Sequence, residues 1–245
     1  TELVGLIPQQ ALIDAAQWYL QLDLFEPDQI LENKLAALDE GAPVGFLDAV
    51  AANTPAPGGG AVAALAGALA AALVTMVGRL TVGKRHYADV QEEATEAVTR
   101  AEKLRATLTK AMDEDSAAFN AVMAAYKLPK ATEEEQHARD AAIQEATVHA
   151  TEVPLATARA ALEALELALL VASKGNVNAA SDAATAAWMA MASIQSAALN
   201  VRVNAANLQD TAQKDAWLAE LDAIDTRAQT LLKDVQTVAA QRAGI

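Results

Sequence analysis

The stretch Thr54-Pro-Ala-Pro-Gly-Gly-Gly-Ala-Val-Ala-Ala-Leu65 sets three glycines directly against the most helix-prone run in the chain. From Ala61 to Gly78 no residue is charged and alanine, the strongest helix former, dominates. That run is near the lower length limit of a membrane span, yet it is poor in large apolar residues and has no flanking aromatic belt. A buried core helix is therefore expected. The two prolines stop whatever precedes it, and the glycines let bare backbone approach something at the helix N-terminus. That something is either the next element of a plain turn or a ligand.

Working outward, the 245 residues suffice for one large domain or a domain with an appendage. About a quarter are alanine, and sustained alternation of β-branched and polar residues is missing. The fold class is all-α: a helical bundle of long, alanine-rich, antiparallel helices. A net charge of −14 and a pI near 4.6 argue against nucleic acid, which needs a basic face. With no cysteine, disulfides and thiolate metal sites are excluded. Thr1-Glu-Leu-Val4 shows no basic leader, so a cytoplasmic protein without signal peptide or membrane span is expected.

Helices are expected from Leu6 to Leu20 and from about Asp28 to Asp39. Gly41, Pro43 and Gly45 then mark the best domain boundary. A short helix over Phe46–Asn53 precedes the glycines, and the buried helix runs to about Leu80. A long helix should end at Lys127, before Leu128-Pro129. Thr132-Glu-Glu-Glu135 fits a capping box, and Pro154 is expected to kink or divide the helix that follows. After a turn at Gly175-Asn-Val-Asn178, helices are expected from Ser181 to about Leu208 and from Lys214 to Gln241.

Three constellations could carry chemistry. The glycine turn, Pro57 with Gly58, Gly59 and Gly60, offers free N–H groups at a helix start but lacks the Lys-Ser/Thr of a P-loop. In Met112-Asp-Glu-Asp115, Asp115 falls within the stripe of Leu108, Met112, Phe119 and Met123, whereas Asp113 and Glu114 rotate away. A carboxylate among apolar neighbours titrates high unless paired, which suits acid–base work; an edge position with an ion pair is the structural alternative. Third come Asn176, Ser181 and Asp182, followed by Asn200 and Asn204 one turn apart inside an apolar helix. Each asparagine needs partners if buried, and a neighbouring helix could supply them. His86, His137 and His149 lack ligand spacing, so no metal site is expected.

Taken in order, Pro55 to Leu65, Gly83-Lys-Arg85, Asp113-Glu-Asp115 with Phe119, Lys127-Leu-Pro-Lys130, Gly175-Asn176 with Ser181-Asp182, and Leu199-Asn-Val201 resemble the cyclodeaminase/cyclohydrolase family of folate enzymes. The resemblance spans about Gly45 to the C-terminus, a cyclodeaminase-like domain over 45–245. Glu2 to Pro8 and Ala11 to Ala16 are similar to the tail of glutamate formiminotransferase, making 1–40 a stub of that domain without its catalytic body. The resemblance implies a homodimer acting on a tetrahydrofolate derivative, with or without a polyglutamate tail, and no other cofactor. It implies ring closure of 5-formiminotetrahydrofolate with loss of ammonia, or alternatively methenyltetrahydrofolate cyclohydrolase chemistry. It gives Asp115 the general acid/base role, and Lys84 and Arg85, a local cation pair in a chain of net charge −14, are expected to hold the anionic glutamate end of folate. Gly58 to Gly60, Asn176, Ser181, Asp182, Asn200 and Asn204 become substrate contacts. A non-catalytic helical assembly module is the alternative from another class.

Overall fold

The computed structural model describes residues 9–21 and 44–244. Seven α-helices lie in them: α1 (Gln9–Leu20), α2 (Val44–Ala51), α3 (Gly59–Thr81), α4 (Gln91–Ala125), α5 (Glu133–Lys174), α6 (Ala180–Ala205) and α7 (Thr211–Ala243). No strand occurs among the described residues. The chain divides into two compact units, Thr1–Ala52 and Asn53–Ile245. The helix expected over 28–39 lies outside the described residues.

In the larger unit α3 packs against α4, α5 and α6, while α7 lies along α5 and α6. The connections are short, which makes sequential helices antiparallel neighbours. Alanine sets the packing. Ala61, Ala64, Ala70 and Ala71 of α3 are fully buried, as are Ala183, Ala186 and Ala190 of α6. Small side chains let these axes approach closely. Ser193 uses that proximity, donating from Oγ to the Ala63 carbonyl at 2.7 Å. Larger side chains, among them Leu108, Leu155, Leu165 and Leu231, fill the spaces between. α3 has the length and composition of a membrane span, but most of its apolar window is buried within the bundle.

Helix ends follow local chemistry. Gly83 takes a left-handed φ of 76° after α3, a conformation that favours glycine. Its N–H donates to Gln91 Oε1 at 2.7 Å, latching the turn onto α4. The capping box at Thr132 forms with both of its hydrogen bonds. Pro154 does not divide the chain: α5 runs unbroken through it for 42 residues.

Candidate active site

The N-terminus of α3 has no side-chain cap. Gly58 occupies the cap position in extended conformation, after a cis Ala56–Pro57 peptide, and contributes no side chain. The first-turn N–H groups of a helix are orphans that attract negative charge. Here the charge comes from another helix. The carboxylate of Asp115, on α4, accepts a hydrogen bond from the Ala61 N–H. Burial pushes the Asp115 pKa above the ordinary aspartate value, and the Ala61 hydrogen bond offsets only part of that rise.

Asp115 lines a cleft of about 310 Å³ together with Gly58, Gly59 and Gly60. Phe119 and Val122 extend the α4 wall, one and two turns beyond Asp115. Ala150 of α5, Asn200, Val203 and Asn204 of α6, and Pro55 and Ala56 ahead of the glycines complete it. Asn200 lies over Gly59, with Nδ2 donating to the Ser196 carbonyl at 2.9 Å. Asn204 reaches across to α5, where Nδ2 donates to the Ala150 carbonyl at 2.7 Å. Both amides thus spend their donor edges on the backbone. Of the acidic trio, Asp113 is exposed and Glu114 pairs with Lys110.

The other expected site residues stand elsewhere. Pro57 adjoins the turn but does not line the cleft. Lys84 and Arg85 are exposed beyond the C-terminal end of α3, about 34 Å from the glycines at 1.5 Å per residue. Asn176 sits at that same far end. Its N–H donates to Thr81 Oγ1, its Nδ2 to the Leu80 carbonyl at 3.1 Å, and its Oδ1 accepts from the Asn178 N–H. Ser181 and Asp182 follow in the first turn of α6. One chain therefore holds Gly58–Gly60, Asp115, Asn200 and Asn204 together, and Lys84, Arg85, Asn176, Ser181 and Asp182 apart from them. Among the described residues no group of three His, Asp or Glu could hold a metal ion.

Sequence reasoning missed Val122, Ala150 and Val203 as cleft residues. Val122 is seven residues beyond Asp115 and Val203 three beyond Asn200, so helical spacing could have found both. Ala150 faces the site through its backbone carbonyl, for which its side chain gives no signal.

Residues 44–223 match the family model described as formiminotransferase-cyclodeaminase. A methenyltetrahydrofolate cyclohydrolase from Methylorubrum extorquens is 49% identical over 76% of this chain and 89% of its own length. The formimidoyltransferase-cyclodeaminase of Rattus norvegicus is 32% identical over 94% of this chain, which spans 48% of that protein. The crystal structure of formiminotetrahydrofolate cyclodeaminase from Thermotoga maritima superposes with a TM-score of 0.74 at 31% identity, covering 83% of this chain and 98% of the other. Sequence and fold thus agree: the chain belongs to the formiminotransferase-cyclodeaminase family.

Proposed function

We propose that the chain converts 5-formiminotetrahydrofolate into 5,10-methenyltetrahydrofolate with release of ammonia, a step of histidine degradation. The observation that carries this is the Asp115 carboxylate, half-buried at an uncapped helix start and facing a cleft. N10 attacks the protonated formimino carbon and the N10–C bond forms. The tetrahedral carbon then bears an N10–H⁺ and an amino group. Asp115 takes the N10 proton and returns it to the amino nitrogen, the C–N bond breaks, and ammonia leaves. The N5–C–N10 unit keeps the positive charge, which the nearby carboxylate favours electrostatically. An aspartate whose pKa is raised is better matched to both halves of that transfer than one at its ordinary value.

Water in place of ammonia gives the second reading, methenyltetrahydrofolate cyclohydrolase, favoured by the 49% identity to such an enzyme. Steady-state assays with 5-formimino- and 5,10-methenyltetrahydrofolate side by side decide between them. Turnover of neither would leave a non-catalytic assembly module. The chemistry as written uses no metal or redox cofactor; the folate is substrate.

We further propose a cytoplasmic homodimer whose first forty residues correspond to the tail of a formiminotransferase domain. The alignment with the bifunctional rat protein over 94% of this chain supports the latter. Val62, Leu69, Met76 and Leu80 are exposed along one side of α3 and repeat at seven- and four-residue spacing. Asp115 lies at the Gly60 end of that stripe, and Lys84 and Arg85, in no ion pair among the described residues, follow its other end. An isologous antiparallel pairing would bring the basic end of each copy to the acidic end of its partner. The glutamate end of one folate would then meet Lys84 and Arg85 from the second chain.

A further inference from the structure

Pro154 is buried in the interior of α5, where helices seldom tolerate proline. Proline has no N–H to give the carbonyl four residues back, and its ring presses on that oxygen. The carbonyl so released belongs to Ala150. It is the same one that accepts the Asn204 Nδ2 hydrogen bond at 2.7 Å. A carbonyl can only accept, so the amide edge turned toward α5 is the NH2 edge. Oδ1 must then face the other way, and it accepts no hydrogen bond from the described residues. Ala150 and Asn204 both line the cleft that holds Asp115.

We propose that Pro154 is a positioning residue for this site. By withholding an N–H it keeps the Ala150 carbonyl open as an anchor, and the anchor fixes Asn204 with its oxygen presented to ligand. Held in this way, Asn204 recognises a donor edge, such as the amino and N–H groups of a pterin. An ordinary residue at 154 would offer Ala150 an intrahelical donor, in competition with Asn204. The amide would then present either edge, and the cleft would lose a defined acceptor. Ligand recognition here rests on the folate reading above; the link from Pro154 to Asn204 does not.

Pro154→Ala separates this role from a structural one, because the two move observables in opposite directions. Removing proline from a helix interior favours the helix, so the melting temperature should rise. The positioning role requires that kcat/KM nonetheless fall about three- to tenfold, chiefly through KM, the loss expected for one oriented hydrogen bond. By NMR, the Asn204 side-chain amide should be protected from exchange in the unaltered chain and lose most of that protection in Pro154→Ala. In an Asn204→Ala background, Pro154→Ala should cost nothing further in kcat/KM. Unchanged amide protection in Pro154→Ala, or an equal kinetic penalty with and without Asn204, overturns the proposal; the second outcome would assign the effect to α5 itself. If the unaltered chain turns over neither folate, the catalytic reading fails while amide exchange still decides the Pro154–Asn204 link.

Discussion

A methyl group on Gly60 would occupy the space filled by the Asp115 carboxylate. The helix that supplies the N–H and the helix that supplies the carboxylate can meet at this distance only because one of them has no side chain there. Gly59, one residue earlier, is different: a methyl group would lie 3.5 Å from Asn200 Nδ2, an ordinary contact.

The two glycines should therefore separate on substitution. Gly60→Ala should displace Asp115 and lower kcat by at least tenfold, since acid–base groups supply about 10²–10⁴ of rate. Gly59→Ala should melt within about 2 °C of the unaltered chain, as fits a change of about 0.5 kcal/mol or less at an uncrowded site. Thermal melts beside steady-state kinetics on both variants check this. Equal behaviour of the two would remove the steric basis for the Asp115 placement.

Asp115 should also leave a mark on stability. Its pKa is raised in the fold by burial, so between the ordinary aspartate value and the folded value the native state binds more protons than the unfolded state. Its contribution is most favourable below that window and is lost as pH rises through it. Asp115→Asn, which can still accept from Ala61, should accordingly gain stability relative to the unaltered chain as pH rises from about 3 toward 7. Denaturant melts across that range measure the difference, and a gain confined to acid would reverse the sign.

Lys84 and Arg85 act on the substrate only from a second copy in this account. Replacing both with Gln should raise KM more than it lowers kcat, and more for polyglutamylated than for monoglutamate folate. Chains carrying Asp115→Asn, refolded together with chains carrying the double replacement, should recover about a quarter of full activity, because half the random dimers hold one intact site. No recovery above the parents would place each site within one chain.

The Thr132 capping box lies at the start of α5, away from the cleft residues. Thr132→Ala should cost about 0.5–2 kcal/mol in denaturant unfolding while kcat and KM stay unchanged. A kinetic effect from this variant would mean that global stability alone moves the assays.

The all-helical fold was legible because alanine content and absent alternation both point one way, and the glycine turn, capping box and post-helical Gly175 mark real helix ends. Pro154 was expected to kink or divide α5; the helix is not divided, and the Ala150 carbonyl left without its intrahelical donor is met instead by Asn204, 50 residues after the proline. Asp115 was legible from helical spacing alone, being the one acidic residue of three within the apolar stripe. The spread of the other site residues was not. Motif order says nothing about which end of a helix a residue occupies, although counting 1.5 Å rises along α3 would have separated Lys84 from Gly60.

The central claim is that Asp115 moves the proton in ring closure. The measurement is single-turnover formation of 5,10-methenyltetrahydrofolate and ammonia from 5-formiminotetrahydrofolate by Asp115→Asn and Asp113→Asn, each confirmed folded by thermal melt. The account predicts a loss of about two to four orders of magnitude for Asp115→Asn and near-normal rates for Asp113→Asn. Near-normal turnover by Asp115→Asn with loss in Asp113→Asn would contradict it.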